Sequence, residues 1–98
     1  MIGRHGTLTG SSTVDTITVT GADPGVSTIM VSLPGGSGDA YFTVATGGAT
    51  AATPTVAGDN TYHLGTAHPV LAVPAGQTTS FQVKIISTAA LAYSIHAE

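Results

Sequence analysis

Hydrophobic and polar positions alternate with a period of two along most of this 98-residue chain. That period marks strands with one buried face. Over 13–20, Ile17 and Val19 point one way, while Asp15, Thr16, Thr18 and Thr20 take polar slots. Gly21-Ala22-Asp23-Pro24-Gly25 then reads as a turn, because Pro and Gly preset the backbone angles a reversal needs. Residues 26–33 resume the pattern through Ile29, Val31 and Leu33, and Pro34-Gly35-Gly36-Ser37-Gly38-Asp39 ends it. Residues 40–46 offer Phe42 and Val44 to a core. Two short strands, 61–64 and 70–73, flank Gly65-Thr66-Ala67-His68-Pro69, and Pro74-Ala75-Gly76 reads as a further turn. Residues 80–86 alternate cleanly, with Phe81, Val83 and Ile85 against Gln82 and Lys84, and Leu91, Tyr93 and Ile95 continue the period.

Short strands roughly ten residues apart, punctuated by Gly and Pro, predict an all-β chain: an antiparallel β-sandwich or small barrel of about six to eight short strands. Its core is expected from Ile17, Val19, Ile29, Val31, Phe42, Val44, Phe81, Val83, Ile85, Leu91, Tyr93 and Ile95. Residues 1–12 are polar, glycine-rich and aperiodic, which predicts a flexible N-terminal arm before a single β-sandwich domain over 13–98. The longest weakly patterned stretch is 47–60. Loops of that length are usually functional or packed against something. Within it, Gly58 with Asp59-Asn60 predicts a tight turn, with Gly58 at a positive backbone angle.

Composition sharpens this picture. Thr and Ser supply about a quarter of the residues, in line with half-buried strands. The hydrophobic fraction of 42% is ordinary, but only 7% of residues are charged, against about 25% in a typical soluble domain. Arg4 and Lys84 face Asp15, Asp23, Asp39, Asp59 and Glu98, for a net charge of −3. Nucleic-acid binding needs several cations on one face to neutralise phosphates, so DNA and RNA are excluded as partners. The chain has no cysteine, hence no disulfide and no thiolate site. No run approaches the ~20 apolar residues of a membrane span, and the polar start lacks a secretory pattern. Synthesis in the cytoplasm, away from membranes, is the expectation.

Catalytic templates fail on particular residues. Lys84 has no phosphate-binding glycines before it, and Gly36-Ser37-Gly38 lacks the spacing of a nucleophile elbow. Ser, His and Asp are present without a spacing that assembles a triad. His63 and His68 lie five apart, close enough to meet across a hairpin, with His5 or His96 as a conceivable third ligand. Nothing in the sequence fixes the three or four ligands a zinc ion wants. Asp59 alone does not make a calcium loop. The expectation is no enzyme, no metal and no cofactor. Tyr41, Tyr62, Tyr93, Phe42 and Phe81 are the only aromatics, mostly in strand positions that a core would claim. A glycan-binding surface is therefore an alternative rather than the main reading. The missing charge points instead to a surface of Thr, Ser, Gly and Ala that packs against other copies or a scaffold.

Several segments resemble small accessory virion proteins of tailed bacteriophages, especially those of actinobacteria. They are Thr53-Pro54-Thr55-Val56-Ala57-Gly58-Asp59-Asn60-Thr61-Tyr62, Val73-Pro74-Ala75-Gly76, Val83-Lys84-Ile85-Ile86-Ser87 and the ending Tyr93-Ser94-Ile95-His96-Ala97-Glu98. Relative to that group, 64–72 is extra. The resemblance implies a β-sandwich subunit of the particle: a capsid decoration (cement) protein that binds the major capsid protein from outside and assembles with copies of itself, as a trimer. It implies no catalytic residues. A tail or head–tail component of the same fold, or a glycan- or receptor-binding module, is the alternative.

Overall fold

A computed structural model of the chain describes residues 2–35 and 38–98. Among them it forms β1 (Ile2–Thr7), β2 (Asp15–Val19), β3 (Val26–Ser32), β4 (Ala40–Thr46), β5 (Tyr62–Leu64), β6 (Val70–Thr78), β7 (Phe81–Ile86) and β8 (Ala92–Ala97). They make two four-stranded antiparallel sheets, ordered β1-β8-β3-β6 and β2-β7-β4-β5. Pairing is nested: Ile2 faces Ala97, Asp15 faces Ile85, Ile29 faces Val73 and Ala40 faces Leu64. The chain is thus one long antiparallel ribbon. Two further pairings, β3 with β8 and β4 with β7, fold that ribbon into two layers. This is the strand order of a jelly roll, an eight-stranded β-sandwich.

The core lies between the layers, where the period-two rows of both sheets meet. Ile29, Val31, Phe42, Phe81, Val83, Ile85 and Ile95 are buried there, and each such side chain contributes about 1.5–3 kcal/mol on leaving water. Val19 and Tyr93 are buried with them, while Ile17, Val44 and Leu91 are partly buried against the cluster. Leu8, Val26, Leu33, Leu64, Val73 and Ala75 also belong to it. Asp15 shares the inward row of Ile17 and Val19 rather than an outward slot; its carboxylate accepts a hydrogen bond from the Tyr93 hydroxyl at 3.2 Å.

Three expectations are corrected. From residue 2 onward there is no flexible arm: β1 runs along β8 as an edge strand, and Leu8 is fully buried, its N–H bonded to the Leu91 carbonyl at 2.7 Å. The domain therefore begins at β1. The strand escaped notice because backbone pairing holds it, and its inward position at Gly6 has to be bare. A Cβ there would lie 2.7 Å from the Tyr93 hydroxyl oxygen. Secondly, the turn expected at Pro74-Ala75-Gly76 is the continuation of β6. A register shift opposite Val26 and Thr28 absorbs the extra residues, with Gly76 and Gln77 at positive φ. Pro74 is tolerated because β6 is an edge strand.

The third correction concerns the reversal before β5. Its positive φ angles belong to Ala57 and Asn60, not Gly58. Gly58 is required instead by proximity, since a Cβ would collide with the Thr55 side chain. The Gly36-Ser37 part of the expected turn before β4 lies outside the described residues.

Substitution at neighbouring positions of β7 separates its two faces. We expect Val83→Asp, which buries an unpaired charge, to cost about 3 kcal/mol or more. Lys84→Asp lies on the outer face, half-buried between Thr16 and Thr43, and should cost about 1 kcal/mol or less. Urea denaturation of both variants measures the difference; equal losses would contradict the register.

Candidate functional site

The ionisable residues scatter rather than converge. His63, on β5, sits with Nε2 2.8 Å from Asp39 Oδ1, and its ring stacks on Tyr41 at a centroid distance of 4.9 Å. Both members of the His63–Asp39 pair are largely exposed. In water such a pair is worth at most about 1 kcal/mol. His68 belongs to the tight reversal that follows, where Gly65 and His68 exchange backbone hydrogen bonds. His5 and His96 lie on another sheet, on β1 and β8. Among the described residues no group of three or more His, Asp or Glu could hold a metal ion. Ser87 is buried, donating its hydroxyl to the Asp39 carbonyl at 2.8 Å and accepting from the Ala89 N–H. It therefore supports the backbone and is no companion nucleophile for His63.

The outer faces of the two layers differ. On the β2-β7-β4-β5 sheet the long 47–60 segment acts as a cover. The Ala51 N–H donates to Gln82 Oε1 at 2.9 Å, and the Thr43 hydroxyl donates to the Ala52 carbonyl. Ala51, Pro54 and the outward-facing Thr43 and Ile86 are buried. A loop that looked patternless is thus a packed strap.

Among the described residues no such cover lies over the other sheet. Its outward row runs from His5 on β1 through Ser94 on β8 and Ser32 on β3 to Val70 on β6; beside it stand Gly3, His96, Met30 and Ala72. Thr7 with Ala92, and Thr28 with Pro74, extend the face. None of these residues is Asp, Glu, Lys or Arg, although the exposed Glu98 carboxylate lies 3.7 Å from His96 Nε2 at the end of the face. Val70 is 53% exposed, the most of any large hydrophobic side chain described. Burying such a face carries little charge-desolvation cost, which is what an interface core requires. The surface ends at β6, a nine-residue edge strand with no charged side chain. Long uncharged edges are templates for association unless something covers them.

Two of the clefts among the described residues lie at the margins. One, of about 360 Å³, lies between β1 and the β2–β3 loop and is lined in part by Arg4, Asp23, Pro24 and Glu98. The other, of about 410 Å³, lies beside β5 and is lined by Thr43, Val44, Ala52, Asn60, Thr61 and Tyr62. Tyr62 is 42% exposed there, not in the core. β5 is only three residues long and stands at the sheet edge, so no further strand buries its ring.

The chain matches no protein-family model and no curated protein. Its fold does match solved structures. PliG of Aeromonas hydrophila, a periplasmic inhibitor of g-type lysozyme, superposes with a TM-score of 0.58 at 12% identity, over 99% of this chain and 85% of that one. A de novo designed double-stranded β-helix gives 0.57 at 14% identity, with both chains covered in full. The pre-peptidase C-terminal domain of a Bacillus anthracis collagenase gives 0.54 at 15% identity, over 99% and 88% of the two chains. At these identities the likeness is one of fold alone.

Two measurements follow from the ionisable groups. Burial first, the Asp15 charge second and their hydrogen bond third push Tyr93 up from 10.0 to about 12. The folded protein holds that proton more tightly than the unfolded chain does. The contribution to stability is therefore complete below pH 10 and is lost as the pH rises through about 12. We expect a tyrosinate absorbance step near pH 12 that is absent from Tyr93→Phe; an unchanged titration in that variant would contradict the assignment. Saturating chelator should leave the melting temperature unchanged, because the described residues assemble no group that could hold a metal and link it to folding. A drop on chelation that zinc restores would show a metal site.

Proposed function

We propose that this protein is a structural virion subunit, a capsid decoration protein that assembles with copies of itself on the outside of a bacteriophage head and strengthens it. The observation that carries the reading is the uncovered, charge-poor outer face of the β1-β8-β3-β6 sheet, ending in the long neutral edge of β6. A free domain normally spreads both signs of charge over its surface. A face made mainly of Thr, Ser, Gly, Ala, Val and Met instead favours close packing against another backbone. The resemblance of the 53–62, 83–87 and 93–98 segments to accessory virion proteins supplies the partner, the major capsid protein. The net charge of −3 gives no reason to face packaged DNA. Closed cyclic symmetry limits such assemblies to a fixed size, and a trimer suits the local threefold axes of a capsid lattice. The role involves no catalytic step and no cofactor.

Ala72→Asp tests the surface and particle mapping tests the role. Ala72 is exposed, so the isolated variant should keep its stability, within about 0.5 kcal/mol, while losing particle binding. Because few ion pairs contribute, binding of the unaltered protein should depend little on salt. Cryo-EM should place the protein on the capsid lattice, and particles lacking it should fail at lower temperature. Density confined to the tail would favour a tail component of the same fold. Particles equally heat-stable without the protein would refute the strengthening role.

A further inference from the structure

The cleft beside β5 has a different chemistry from the outer face of the other sheet. β5 pairs with β4 only from Ala40 to Phe42. Beyond Phe42, β4 continues to Thr46 against β7 on one side, while β5 provides no partner on the other. The chain has left that edge at Asn60, whose φ of 60° turns it away. The gap so created is lined by three hydroxyl or amide side chains, Thr43, Asn60 and Thr61, and by three apolar surfaces, Val44, Ala52 and the Tyr62 ring. None of the six carries a charge.

Tyr62 is held in place before any ligand arrives. Its ring stacks on buried Phe42, with centroids 5.1 Å apart and planes inclined by 29°, and much of the side chain stays exposed at the cleft. The neighbouring hydroxyls are also oriented: Thr61 donates to the Gly58 carbonyl at 2.7 Å, and Thr43 to the Ala52 carbonyl. Each hydroxyl oxygen keeps acceptor capacity. A fixed aromatic ring with a neutral polar rim suits a ligand that has an apolar face and a ring of hydroxyls. At about 410 Å³ the space lies within the range of small-molecule sites.

We propose that this cleft binds a neutral pyranose, its C–H face stacked on Tyr62 and its hydroxyls bonded to Asn60, Thr61 and Thr43. The negative π-face of tyrosine attracts the partly positive C–H hydrogens of a sugar ring, and the fixed ring loses little entropy on binding. The uncharged lining gives an acidic sugar no counterion. The site stands on the sheet opposite the charge-poor outer face, so a subunit docked through that face keeps it open. It does not depend on the virion role.

The test is an NMR titration of the isolated protein with the methyl glycosides of glucose, galactose, mannose and N-acetylglucosamine, and with glucuronate as the charged control. At least one neutral glycoside should give saturable amide shifts confined to Thr43, Val44, Ala52 and residues 60–62. Tyr62→Phe keeps the stacking surface and should bind within about threefold of the unaltered protein, whereas Tyr62→Ala should bind about tenfold more weakly or worse. Asn60→Gly removes the amide and tolerates the positive φ; it should weaken binding several-fold, and it decides the matter if Tyr62→Ala does not fold. Absence of saturable shifts with all four glycosides would overturn the proposal. So would undiminished binding by Asn60→Gly or by folded Tyr62→Ala, or glucuronate binding as tightly as the neutral sugars.

Discussion

Everything in this molecule depends on the nested backbone pairing of its first half with its second. β1 runs along β8, β2 along β7, β3 along β6 and β4 along β5, so each step from either end of the chain toward its middle meets the corresponding step from the other. Only β4 and β5 are neighbours in sequence. The ribbon cannot be stable as a flat object, because one of its faces is a continuous row of apolar side chains. Folding it over and pairing β3 with β8 and β4 with β7 brings that face against itself. The interior of the sandwich is therefore the inside of a folded ribbon, and its packing requires all of the long-range pairings together.

That construction leaves two outer faces, and they have opposite fates. The loop between β4 and β5 is long enough to return across its own sheet, where Thr43 and Gln82 bond its backbone. Nothing comparable crosses the other sheet among the described residues. The molecule thus has one covered face and one bare one, and the bare one is poor in charge, with the Glu98 carboxylate beside His96 at its end. A charge-poor face next to a long neutral edge is an unusual surface for a protein meant to remain alone in water, which is why the assembly reading has its footing there. The margin of the covered face is where β5 stops short and Tyr62 is left standing.

Tyr93 shows how closely the layers constrain one another. Its ring fills the space over Gly6, and its hydroxyl reaches Asp15 on the opposite sheet. A polar bond so placed fixes the relation of the two sheets more narrowly than apolar contact alone, because hydrogen bonds are directional and apolar packing is not. The same placement accounts for the raised ionisation of Tyr93 and for the bare inward position in β1.

The all-β class, the face assignment of Phe81, Val83 and Ile85, and the extent of β4 over Ala40–Thr46 were all legible in the sequence. They rest on side-chain alternation, which is a local property of a single strand. β1 was not legible, since an edge strand with glycine at an inward position needs no apolar alternation and is held by its partner's backbone. Nor was the passage of β6 through Pro74 and Gly76, because a register shift is defined only between two strands. The inward aspect of Asp15 and the exposure of Tyr62 are of the same kind: the first depends on Tyr93 across the sandwich, the second on how soon β5 ends. The candidate surface was visible only as a shortage of charge. Its location could not be read from the chain, because which sheet face stays uncovered depends on where a loop lies after folding. Sequence by itself determined which side chains share a face of each strand. Tertiary structure decided which strands pair and which faces meet water, since those choices join residues that only the folded ribbon brings together.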